Sequence, residues 1–218
     1  MNEIITDLKK AINSIPVFYY TMPTVSVLND NLNIDTDETK LYERRFVAQL
    51  KSEYDKLINN GSTSNYEQVN TDLEVIKKYI FSDNPDASIV STYNKLNDKN
   101  SNEAFLSITT IPDFFIHKQQ DNFDEIHQKL AVEVKTTAQL DEDNFFSDLF
   151  KLNVYVEKSN FQNGVFLVTN NSSTSIKQLA KQYLRQRLYL APLNKDRIYL
   201  FIKPNFNTDI EIIKLVDV

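Results

Sequence analysis

The sequence predicts an α/β protein: a mixed central sheet flanked by helices, with extra helices ahead of it. Three observations lead there. Apolar residues recur at helical spacing through residue 81, strand-like patterns take over from about residue 103, and a strand, a helix and a strand follow one another toward the C-terminal end. The last of these demands parallel neighbours, whereas two strands joined by a long polar hairpin connection pair antiparallel, so the sheet should be mixed.

The elements follow in order. Residues 3–14 set Ile4, Ile5, Leu8 and Ile12 on one side of a helix that stops before Pro16. Residues 15–36, with Pro16, Pro23 and an Asn/Asp cluster, read as irregular. Leu41, Phe46, Leu50, Tyr54 and Leu57 carry a longer helix over about 38–59, stopped by Asn59-Asn60-Gly61. A third helix is expected over about 66–81, ahead of the turn at Asp83-Asn84-Pro85-Asp86, and 86–102 fits no single period. Strands are expected at about 103–110, 112–118 and 129–137, the last two joined across a polar 119–128. Phe145, Phe146, Leu149, Leu152 and Val156 mark a helix over about 142–158, and the apolar run Gly164-Val-Phe-Leu-Val-Thr169 suits a buried strand. A helix at about 174–190 and strands at 197–203 and 210–216 close the chain. With no repeat and no low-complexity linker, residues 1–218 are expected to form one domain.

Composition narrows the chemistry. A content of 41% hydrophobic and 11% aromatic residues belongs to a chain that buries a core rather than a disordered one. Cysteine is absent, which removes disulfide scaffolds, iron–sulfur clusters and thiol catalysis, and with two histidines a zinc site is not expected. The two glycines, Gly61 and Gly164, are too few for a phosphate loop or a dinucleotide-binding turn. The first ten residues place acids before bases, and no apolar run approaches the roughly 18 residues of a membrane span, so neither a secretory signal nor a membrane partner is expected and the cytoplasm is the expected location. The formal charge of −6 opposes bulk attraction to nucleic acid, but its distribution is uneven: residues 171–218 hold 8 Lys+Arg against 4 Asp+Glu, and the remainder 16 against 26.

Two segments put acids where a core strand should be apolar. In Leu130-Ala-Val-Glu-Val-Lys-Thr136 the strand period sends Glu133 and Lys135 to one face, an arrangement that costs several kcal/mol unless the two pair or meet a ligand. In Ile111-Pro-Asp-Phe-Phe-Ile-His117, Asp113 follows a proline at a strand entry. A hairpin between these segments brings Asp113 beside Glu133. Adjacent carboxylates relieve their repulsion by sharing a proton or binding a divalent cation, and an oxygen-only site suits Mg²⁺ or Mn²⁺. A neighbouring lysine then supplies positive charge where a phosphodiester transition state gains negative charge.

On these residues the chain resembles the PD-(D/E)XK superfamily of nucleases, which includes restriction endonucleases: Pro112-Asp113, then, after a hairpin, Glu133-Val134-Lys135. Glu38-Thr39-Lys40 and Pro85-Asp86 spell the same letters, but at a helix start and in a turn. Leu41–Leu50 looks like the family's leading helix with its acid at Glu43. Pro112-Asp-Phe-Phe-Ile-His117 resembles the PD strand of one bacterial subgroup, and Asp148-Leu-Phe-Lys151-Leu152 resembles that subgroup's D-x-x-K-L helix. The resemblance covers about residues 39–205. It implies a restriction-endonuclease-like sheet with a catalytic core at 103–205, an N-terminal helix and irregular extension at 1–36, and an insertion at 60–102. It further implies Mg²⁺ or Mn²⁺ held by Asp113, Glu133 and the carbonyl of Val134, with Lys135 orienting or activating water, Glu43 holding a water of the ion or a second ion, and Lys151 supporting the site.

Plainer accounts stand beside these. Asp113, Glu133 and Lys135 also describe a salt bridge on a half-exposed sheet. His117, alternating with Asp113 and Phe115, is a general base near the site or a structural histidine. Lys177, Lys181 and Arg185 recur every four residues as a stripe that tracks a phosphate backbone or is simply a solvated helix face. The expected function is metal-dependent nuclease activity in prokaryotic restriction, defence or repair, on DNA rather than RNA, with double-strand cleavage calling for a homodimer or two binding events. The alternatives are a catalytically inactive nuclease-fold module that binds a protein or nucleic acid, and glycoside hydrolysis, which leaves Lys135 without a role.

Overall fold

Among the described residues six strands run side by side in chain order in one mixed sheet, with helices on both faces. The computed structural model describes residues 3–20, 36–63, 69–73, 89, 91–92, 96, 112–118, 124–187 and 193–218. The elements are α1 (Glu3–Ser14), α2 (Thr36–Asn59), β1 (Val69–Leu73), β2 (Phe114–Lys118), β3 (Gln128–Lys135), α3 (Glu142–Lys158), β4 (Asn163–Thr169), α4 (Ser173–Gln186), β5 (Ile198–Lys203) and β6 (Glu211–Lys214). β1, β2 and β3 pair antiparallel, β3, β4 and β5 pair parallel through the crossovers of α3 and α4, and β6 returns antiparallel to β5.

Local chemistry sets the ends of the helices. At the end of α2 the chain turns through Gly61 at φ +60°, where Gly61 N–H donates to the Ile58 carbonyl at 3.0 Å and Ser62 N–H to the Leu57 carbonyl at 2.9 Å, a Schellman closure that needs a residue free of Cβ strain. Asp141 and Ser172 cap α3 and α4 by accepting from the backbone N–H groups of Asn144 and Ser175. The central strands are apolar on both faces because both are covered. Toward α1 and α2, Phe114, Val132, Val134, Val165, Leu167 and Phe201 pack on Ile5, Leu8, Phe46 and Leu50. Toward α3 and α4, Phe115, Ala131, Phe166, Val168 and Leu200 pack on Leu149, Leu152, Val156 and Tyr183. Gly164 lets α3 settle onto β4: a Cβ there would lie 3.3 Å from Val156 Cγ2 and 3.4 Å from Leu152 Cδ2.

Two expectations need correction. The helix expected over 66–81 is, at 69–73, the edge strand β1, in register with β2 from Val69 opposite Lys118 to Leu73 opposite Phe114. Val69, Thr71 and Leu73 alternate with Asn70 and Asp72, and a partner strand over forty residues away decides the matter. The insertion thus supplies part of the sheet. The helix expected to reach 190 stops at Gln186, with Arg187 left-handed at φ 55°. The strand expected at 103–110 lies outside the described residues, as does all of 86–102 apart from 89, 91–92 and 96; Ile89 and Leu96 are buried in the core. No described helix is long and apolar enough to cross a membrane.

Candidate active site

β3 carries two charged residues into an otherwise apolar face. Glu133 and Lys135 alternate with Val132 and Val134, share the face of Ala131 toward α3, and stand opposite Phe166 and Val168 of β4. Glu133 is only 2% exposed. α3 presents Asp148, Lys151 and Tyr155 to the same region, at spacings of three and four residues that place them on one helix stripe. Lys151 Nζ lies 2.6 Å from Asp148 Oδ1 and 3.8 Å from Glu133 Oε2. Lys135 Nζ lies 3.2 Å from Asp148 Oδ2 and 3.0 Å from Glu43 Oε1, so Glu43 reaches the site from α2 on the other face of the sheet. Charge alternates along this chain, from Glu43 through Lys135, Asp148 and Lys151 to Glu133.

Asp113 joins it from the entry of β2. The register that sets Phe114 opposite Val132 continues to put Asp113 beside Glu133, and Asp113 Oδ2 accepts from the Val134 N–H at 2.7 Å. Two asparagines brace the strand ends here. Asn170 Nδ2 donates to the carbonyls of Thr136 at 2.9 Å and Tyr20 at 3.0 Å, and Asn171 ties Leu140, Thr137 and Thr169 together. Asn170 is left-handed at φ 60°, a conformation asparagine tolerates.

Four carboxylates face two ammonium groups, and protonation responds to the imbalance. Burial pushes Glu43 up to about 7 and Asp113 up to about 6, with Lys135 opposing both. Burial likewise holds Glu133 well above the usual carboxylate range, although the Lys151 charge opposes it. For Asp148 the balance is reversed: burial is outweighed by Lys151 and Lys135 together, and its carboxyl is held below the ordinary value. Burial works against both ammonium groups, but Asp148 and Glu43 outweigh it at Lys135, and Asp148 and Glu133 at Lys151, so both amines are held well above their usual range and stay charged.

Some oxygens are left over. Glu133 Oε1 and the Tyr155 hydroxyl are buried and make no hydrogen bond of good geometry among the described residues, although the two side chains lie close together: burial first, and then Glu133, raises the hydroxyl well above its ordinary value. Asp113 Oδ1 also makes no hydrogen bond among them. An excess of two negative charges, unengaged carboxylate oxygens on adjacent strands and a donor set free of sulfur and imidazole fit a hard divalent cation. As the side chains stand, no group of three acidic or histidine residues among the described residues encloses an ion, so such a cation would rest on the two carboxylates of Asp113 and Glu133 and complete its shell with water or substrate.

The remaining candidates lie elsewhere. His117, four residues and roughly 13 Å along β2 from Asp113, is taken by Asp72 Oδ2 at 2.7 Å from Nε2 and faces the Lys118 carbonyl at 2.9 Å from Nδ1, so it does not join the site. It lines a separate open cleft of about 670 Å³ between α2 and β1, where Lys51 bonds Asp55 at 2.5 Å and Thr71 at 2.9 Å, and Thr71 donates to Asp55. Lys177 is paired with Glu211 at 2.6 Å; Lys181 and Arg185 are exposed on α4, which packs on β5, two strands from β3. Two residues of the cluster carry no role in the sequence reading. Asp148 was present there as the first letter of D-x-x-K-L, and Tyr155, one turn beyond Lys151, gave no signal beyond its place on the same helix stripe. No family model matches the chain, and neither a curated protein nor a solved structure matches it.

Proposed function

We propose that the chain is a divalent-metal-dependent nuclease with a restriction-endonuclease-like fold, of the PD-(D/E)XK kind, hydrolysing phosphodiester bonds in DNA rather than RNA. The observation that carries this reading is the convergence of Asp113, Glu133 and Lys135 at one end of two paired strands, with Glu133 Oε1 buried and unpartnered. Asp113 and Glu133 would hold Mg²⁺ or Mn²⁺, which when bound supplies Lewis-acid polarisation and a more acidic water. Lys135 stays protonated, so its part is to stabilise the charge that gathers on the phosphate and not to accept a proton. Asp148 fixes both ammonium groups in place from α3. Glu43 fixes Lys135 from α2 through Oε1.

The competing reading, an inactive module of the same fold that binds a partner, has one observation on its side: the lysines already answer several of the carboxylate oxygens, and no three acids enclose an ion. Incubation of the full chain with plasmid, single-stranded DNA and RNA separates the two, with Mg²⁺, with Mn²⁺ and with chelator. The nuclease reading expects metal-dependent cutting that Glu133→Ala and Lys135→Ala abolish. Cutting that survives both substitutions, or no cutting on any substrate, would leave the binding module.

A further inference from the structure

We infer that the site takes one divalent cation rather than two, the place of a second being held by the Lys151 ammonium. The inference rests on the nuclease reading for the first cation and goes beyond it for the second.

Most carboxylate oxygens of the cluster are already engaged. Both oxygens of Asp148 face lysines, Oδ1 at 2.6 Å from Lys151 and Oδ2 at 3.2 Å from Lys135. Glu43 Oε1 faces Lys135 at 3.0 Å, Asp113 Oδ2 holds the Val134 N–H at 2.7 Å, and Glu133 Oε2 lies 3.8 Å from Lys151. On the paired strands this leaves Asp113 Oδ1 and Glu133 Oε1. A hard cation of the Mg²⁺ type is commonly held by one or two carboxylates, with water and substrate phosphate completing its shell, so the pair is enough for one ion.

Charge leads to the same count. Once all four carboxyls are ionised, as a bound cation would favour, they outnumber the two ammonium groups by two charges, which one divalent cation cancels. A second would give a largely buried site a net positive charge, and uncompensated buried charge is costly. Lys151 occupies the position a second ion would need, between Asp148 Oδ1 and Glu133 Oε2, and it arrives tethered to α3 at no cost in binding. The consequence is a site whose metal dependence is non-cooperative.

Counting Mn²⁺ tests this without reference to activity. Free Mn²⁺ is followed by electron paramagnetic resonance as the full chain is titrated, and the count for the double variant Asp113→Asn, Glu133→Gln is subtracted as the surface background. The expected counts are one ion for the unmodified chain, two for Lys151→Met, which keeps length and removes charge, and one for Lys151→Arg, which keeps charge. Two ions on the unmodified chain overturn the inference while leaving the nuclease reading intact, and this count decides the matter even if Lys151→Met does not fold. A folded Lys151→Met that still binds one ion also overturns it. No ion above background on the unmodified chain overturns the metal-dependent reading itself, and this inference with it.

Discussion

Two clusters of charged side chains among the described residues, one where Asp113 and β3 meet α3 and one in the cleft between α2 and β1, are built on opposite terms. In the cleft the charged and polar partners are matched: Lys51 with Asp55, His117 Nε2 with Asp72, and Thr71 bridging, with Asp72 44% exposed. These four side chains and Thr71 answer one another within the protein, and water screens what remains. At the β3 cluster the acids outnumber the bases, Glu133 and Asp148 are buried, and oxygens are left unengaged. A balanced, wet cluster is accounted for by structure alone. An unbalanced, dry one holds free energy that folding has not recovered, and a ligand is the ordinary reason for a protein to keep it.

Breaking Asp148 should produce the largest difference between the two regions. Asp148→Asn leaves two buried ammonium groups short of their shared anion and is expected to lower stability by about 3–5 kcal/mol, read from urea midpoints. A loss well under 1 kcal/mol would mean that Asp148 does not hold the lysines. Next in size is the effect of pH. Glu43 is raised to about 7 when folded, so the native state keeps a proton that the unfolded chain releases near its ordinary value of 4.5. Stability from this group is therefore greatest at low pH and falls as pH rises through that interval, by on the order of 3 kcal/mol. Thermal melts at pH 5 and pH 8 measure it, and Mg²⁺ should restore more of the melting temperature at pH 8, where protons no longer compete.

A smaller effect of unusual sign is expected at Glu133. Glu133→Gln removes a carboxyl that burial resists ionising, so at pH 8 it should raise the urea midpoint of the metal-free protein while abolishing cleavage. Destabilisation there would mark Glu133 as a structural ion-pair partner of Lys151. The smallest changes belong to the cleft. His117→Gln and Asp72→Asn should each cost no more than about 1 kcal/mol and leave both Mn²⁺ binding and cleavage at their original levels; a loss of cleavage in His117→Gln with stability unchanged would return that residue to the active site.

What could be read from the sequence follows the range over which each residue finds its partner. Glu133 and Lys135 stood out because strand parity is local and their neighbours are apolar, and Asp113 because a hairpin brings it alongside. Asp148 did not stand out. An acid three residues before a lysine on a helix describes an ordinary surface ion pair, and only the packing of α3 onto β3, held close by Gly164, turns that pair inward. β1 was hidden for a similar reason: Val69, Leu73 and Ile76 also suit a helical stripe, and the pairing of Asp72 with Phe115 lies 43 residues ahead. His117 had the right parity and the wrong distance along the strand. Lys177 looked free because Glu211, its partner, lies 34 residues away on β6.

The account turns on a divalent cation resting between Asp113 and Glu133. The most direct measurement is an anomalous-difference map from crystals of the full chain grown with Mn²⁺. The account predicts a peak within coordination distance of Asp113 Oδ1 and Glu133 Oε1, absent in Glu133→Gln. No peak at that position, or a peak in the α2–β1 cleft between Asp55 and Asp72 instead, would contradict it.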